Sequence, residues 1–100
     1  MFYEYTIDDV MKASLKVLEE QEWKITMIDD DKNHIFAKKE AGIPGFKSHV
    51  DLSLRQEGNG TWIEIERYVP PKFTPGSTFK SRFSINDLFY DISVELEKNY

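Results

Sequence analysis

The chain changes its hydrophobic period twice. From Ile7 to Leu18 the repeat is helical: Ile7, Val10, Met11, Ser14, Val17 and Leu18 form one stripe, with Asp8, Lys12, Lys16 and Glu19 opposite. Between Trp23 and Val69 the interrupted repeat is two, the mark of strands with one dry side. From Ile85 the helical repeat returns through Leu88, Phe89, Ile92 and Leu96. Each helical stripe needs an apolar surface to cover it, and a sheet with one apolar face serves both. This order predicts an α+β fold: a two-layer sandwich with an antiparallel sheet of four or five strands and the N-terminal and C-terminal helices on one face. At 100 residues there is no room for a second core, so residues 1–100 form a single domain.

Local signals refine the order. Thr6, with Asp9 three positions on, approximates a capping box, and Ser84 with Asp87 repeats the logic before the second helix. Trp23, Ile25 and Met27 alternate with Lys24, Thr26 and Ile28, and the polar run Asp29 to Asn33 turns the chain into a strand carried by Ile35 and Ala37. After the break Ala41 to Gly45, Val50, Leu52 and Leu54 share one face, with His49, Asp51, Ser53 and Arg55 on the other. Gly58-Asn59-Gly60 turns the chain again. Strict alternation then places Ile63, Ile65 and Val69 on the core face and Trp62, Glu64, Glu66 and Tyr68 opposite. Pro70 to Phe83 holds three prolines and one glycine and reads as a loop, with room for a short strand near Thr78 to Phe83.

Composition excludes several function classes. With no cysteine there is no disulfide framework, thiolate nucleophile or cysteine-type zinc site. Forty per cent apolar residues suit a packed core, and no stretch approaches the ~20 apolar residues of a membrane span. The first residues show no signal-peptide pattern, which predicts a cytoplasmic protein without membrane contact. A net charge of −5 disfavours non-specific binding to nucleic acid, leaving local basic patches open. No residue pattern implies a cofactor.

Glu22-Trp23-Lys24-Ile25 after a helix, then an acidic turn and Ile35-Phe36-Ala37-Lys38, resembles the opening of small helix, meander, helix domains. Such domains occur in uncharacterised bacterial small-lipoprotein families, in outer-membrane assembly lipoproteins of the BamC type and as the half-repeat of TATA-binding-protein-like folds. The resemblance lies in element order. It implies a binding or assembly role and carries over no functional residue. The chain lacks the lipobox cysteine of the lipoprotein examples.

Two constellations mimic known chemistry and fail on spacing. Asp29, Asp31, Asn33 and Glu40 stand at the first, third, fifth and twelfth positions of a calcium loop, but the sixth, where glycine makes the sharp turn, is His34, and the flanks read as strands. His49, Asp51 and Ser53 are the residue types of a hydrolase triad. On one strand face, however, residues two apart sit about 6.5 Å from each other, too far for the direct hydrogen bonds a triad needs. A small hydrolase or metalloprotein using His49 and Asp51 is therefore the weakest functional alternative.

The sharpest anomaly is charge sorting. Arg67 to Phe83 contains Arg67, Lys72, Lys80 and Arg82 and no acid, so a segment of +4 leaves −9 for the rest of a chain of −5. Phe73, Phe79 and Phe83 are interleaved with these cations, a composition that suits docking on an acidic, partly apolar partner or stacking on bases. It equally suits a loop pinned to its own core by phenylalanines. Trp62 and Tyr68 divide the same way, between a partner-docking patch and aromatics covered by a loop or by the Phe2-Tyr3-Glu4-Tyr5 segment. The resulting expectation is a non-enzymatic interaction module that binds a protein or an anionic ligand through residues 70–83 and the adjacent sheet face. Lys72, Phe73, Phe79, Lys80, Arg82, Trp62 and Tyr68 are its candidate contacts. Single-stranded nucleic-acid binding is the main alternative.

Overall fold

A computed structural model describes residues 1–40, 47–69 and 85–100. The elements are β1 (Phe2–Tyr3), α1 (Ile7–Glu20), β2 (Lys24–Asp29), β3 (His34–Glu40), β4 (Lys47–Glu57), β5 (Gly60–Val69) and α2 (Ile85–Asn99). The strands form one antiparallel sheet in the order β1-β5-β4-β3-β2. The α+β class and the helix, meander, helix order follow the sequence expectation. The strand expected near Thr78 to Phe83 and the Ser84 cap lie outside the described residues. The fifth strand is instead β1, whose two residues are too few to carry a period.

α1 starts where its sequence allows. Thr6 is in extended conformation and its hydroxyl accepts from the Asp9 N–H at 3.3 Å, while Asp8 and Asp9 place negative charge in the first turn. The helix ends at Gln21, and Glu22, at φ 68°, lets Trp23 N–H reach the Leu18 carbonyl at 2.8 Å before β2 begins. The buried stripe of α1 is Val10, Ala13, Ser14, Val17 and Leu18. Ser14 is accommodated because its hydroxyl donates to the Val10 carbonyl at 2.7 Å.

The two helices run antiparallel, as two cross-contacts establish: Lys16 Nζ lies 2.7 Å from Glu95 Oε1, and Gln21 Nε2 donates to Asp91 Oδ2 at 2.6 Å. Between the helices and the sheet lies one core in which Val10, Leu18, Ile35, Val50, Leu52, Ile63, Leu88, Ile92 and Leu96 are fully buried. β1 ties the layers together. Tyr3 is buried opposite Thr61 and its hydroxyl donates to the Phe89 carbonyl of α2 at 2.6 Å, and Thr61 Oγ1 donates to the Tyr5 carbonyl at 2.9 Å.

Two β-bulges correct the strict alternation. In β2 the register shifts between Ile25 and Met27, so Met27 pairs with Phe36 on the outer face and Ile28 pairs with Ile35 on the helix side. In β5 an extra residue, Glu66, falls between Ile65, which pairs with Leu52, and Arg67, which pairs with Asp51. Every residue beyond Glu66 therefore changes face. Tyr68 lies opposite Val50 and packs against the core, and Val69 lies on the outer face opposite His49, the reverse of the expected placement.

Candidate functional site

With the helices on one face, the other face of the sheet is the broad surface on which side chains from five strands stand together. Register orders it into cross-strand rows, since residues directly opposite in an antiparallel pair bring their Cβ atoms within about 5 Å. The first row is Lys24, Lys38, His49 and Val69; the second is Met27, Phe36, Asp51 and Arg67. The third is Asp29, His34, Ser53 and Glu64, and the fourth is Arg55, Trp62 and Phe2.

The fourth row is satisfied within itself and by the acids beside it. Phe2 and Trp62 rings lie 5.2 Å apart in a tilted contact, Trp62 Nε1 donates to Glu57 Oε2 at 2.6 Å, and Arg55 Nη2 stands 3.7 Å from Glu64 Oε1. Trp62 is thus half-buried and covered by the N-terminal segment, the second of the two arrangements its sequence position allowed. Glu64 thus meets a cation of the neighbouring strand. In the third row Ser53 Oγ donates to Glu66 Oε1 at 2.6 Å. The hydroxyl is therefore committed away from His49, and the three triad residue types form no nucleophile-to-base chain. The His34 and Phe36 rings, neighbours along β3, lie 6.1 Å apart.

In the second row Asp51 and Arg67 stand directly opposite each other with complementary charge. Beside them Met27 is 52% exposed and Phe36 is half-buried, an apolar pair on the outer face.

The first row is different. Lys24 is directly opposite Lys38, and Lys38 is directly opposite His49. The Lys24 and Lys38 ammonium groups are like charges facing each other across the ladder, an arrangement that destabilises it. Among the described residues none of the three has an ion-pair partner. The opposite end of the sheet carries the acids Asp29, Asp30, Asp31 and Glu57, beside Lys32, and beyond the first row the register sets Glu40 opposite Lys47. Asp29 Oδ1 accepts the Lys32 N–H at 3.2 Å, and Asn33 closes the turn at φ 55°. Among the described residues no three histidine or carboxylate side chains converge as metal ligands.

Of the sequence-predicted contacts, Trp62 lies on the outer face and Tyr68 on the helix side; Lys72, Phe73, Phe79, Lys80 and Arg82 lie outside the described residues. Lys24, Lys38, Met27 and Phe36 were not singled out by sequence. Alternation could assign both lysines to the polar face, but only register reveals that they meet. No protein-family model and no curated protein matches the chain.

Proposed function

We propose that the protein is a non-enzymatic interaction module that binds an anionic partner through the outer sheet face at its basic end together with residues 70–83. One observation carries this reading: the first row sets Lys24 directly opposite Lys38 and Lys38 opposite His49 with no acid among them, and it ends at Val69, from which the sequence continues into Lys72, Lys80 and Arg82. A surface that accepts like-charge repulsion gains from an acidic counterpart, which also steers encounter. A cytoplasmic location belongs to the same proposal.

The test replaces Lys80 and Arg82 together by Ala and compares copurification of partners from the native cell with that of the unmodified chain. The variant should keep its circular dichroism and melting temperature while its partner is lost. A variant that retains its partner with unchanged affinity and salt dependence would make residues 70–83 a structural strap and sink the proposal.

A further inference from the structure

We infer that the partner presents an acidic amphipathic helix, which lies across β2, β3 and β4 with carboxylates over Lys24, Lys38 and His49 and apolar side chains over Met27 and Phe36. This rests on the outer face being a recognition surface and adds what it recognises.

The geometry of the two rows carries the inference. Both run across the strands, and on β3 they are separated by the step from Phe36 to Lys38, about 6.5 Å along the strand. A rod about 10 Å in diameter laid over that step touches both rows at once. Along the rows, neighbouring side chains are one strand apart, about 4.8 Å, close to the 5.4 Å pitch of an α-helix. Acids spaced one turn apart on a helix therefore meet Lys24, Lys38 and His49 in succession. Their apolar neighbours on the adjoining stripe fall on Met27 and Phe36. Methionine suits such a contact because its unbranched, polarizable chain adapts to the side chains laid against it.

Other occupants fit less well. An added β-strand would pair with the exposed edge of β2, but the bulge at Thr26 and Met27 interrupts that edge. A single strand of nucleic acid laid along β4 and β5 would carry its phosphates from the basic row over Asp51, Glu64 and Glu66.

The experiment titrates the isotope-labelled full chain with three probes, followed by amide chemical shifts. The first is a designed helical peptide of about five turns with glutamates one turn apart beside a leucine stripe; the second is its scrambled isomer; the third is an oligothymidylate of equal charge. The helical peptide should shift amides of β2, β3 and β4 around the two rows and bind at least roughly tenfold more tightly than the scrambled isomer. Lys24→Glu with Lys38→Glu should remove that preference, and Met27→Asp should weaken it. Lys24→Ala with Lys38→Ala should melt no lower than the unmodified chain, because it removes a repulsion. Equal binding of both peptides, absence of binding, or indifference to the lysine variants would overturn the helix. Steeply salt-dependent binding of the oligothymidylate on the same row, in place of the peptide, would overturn it in favour of nucleic acid. If the peptide fails while the native partner still depends on Lys80 and Arg82, the inference falls and the proposed function stands.

Discussion

A Cβ at Gly60 would collide with the Phe2 ring and stand 2.7 Å from the Tyr3 carbonyl oxygen, so the close approach of β1 to β5 depends on glycine there. Gly58 serves a different need. It sits at φ +61° with open space around it, the first central position of a two-residue turn in which Asn59 has no positive φ, the arrangement of type II′. The two glycines should fail differently. Gly60→Ala should cost about 1–3 kcal/mol, the usual penalty of overpacking, and should disturb the near-ultraviolet signal of the Phe2 and Trp62 ring contact. Gly58→Ala should cost about 1 kcal/mol through backbone strain alone, with that signal intact, and Gly58→Asn about as much, because asparagine tolerates the left-handed helical region and not the backbone that the first position of a type II′ turn requires. Denaturant midpoints and circular dichroism of the three variants check both statements. If Gly60→Ala leaves stability and the ring signal unchanged, β1 does not pack on β5 as described.

At the scale of elements, the helix pair has its own pH dependence. Glu95 is almost fully buried, receives Lys16 Nζ at 2.7 Å and accepts from Asn99 Nδ2 at 2.7 Å. The hydrogen bond to the Lys16 ammonium, helped by Asn99, holds the Glu95 carboxyl below its ordinary 4.5, and the bond to Glu95 holds Lys16 above its ordinary 10.5. A carboxyl lowered on folding contributes stability above its unfolded pKa that is lost as pH falls through the folded one; an ammonium raised on folding contributes stability that is lost as pH rises through its folded value. The difference in melting temperature between the unmodified chain and Glu95→Gln should therefore be constant through the neutral range. It should close at acid pH below 4.5 and again at alkaline pH above 10.5. A gap that persists unchanged into acid would show that the ion pair does not fasten α1 to α2.

The elements themselves were largely legible in the sequence, because periods of 3.6 and two survive single exceptions. Val50, Leu52 and Leu54 are buried as alternation requires, and Thr6 caps α1 as its spacing with Asp9 predicts. The bulges at Met27 and Glu66 were not legible, since neither carries a glycine or proline to mark it, and each inverts the facing of everything beyond it. Tyr68 moved from the surface to the core for that reason alone. The candidate site was legible only in part. Its charge excess appears in composition, but the meeting of Lys24 with Lys38 depends on hairpin register, which the polar run from Asp29 to Asn33 does not specify by residue type.

For the whole molecule the central fact is that neither layer is sufficient alone. The sheet buries Ile35, Val50, Leu52 and Ile63 only beneath the helices, and the helices bury Leu18, Leu88, Ile92 and Leu96 only between each other and the sheet. A chain of this size buries too little surface to tolerate much loss at that seam, since total stability is about 5–15 kcal/mol. Leu18 is fully buried in the core cluster between the layers. Leu18→Ala should lower stability by about 2–5 kcal/mol and leave a cooperative, weaker transition. Leu18→Asp adds the desolvation of a carboxylate, which no basic side chain in the core cluster can answer, and should abolish the cooperative transition altogether; Ile92→Asp should do the same from the other helix. Thermal unfolding followed by near-ultraviolet dichroism distinguishes the outcomes. A soluble Leu18→Asp chain that melts cooperatively would mean that α1 does not depend on the sheet for its burial, and the two-layer account of this fold would have to be abandoned.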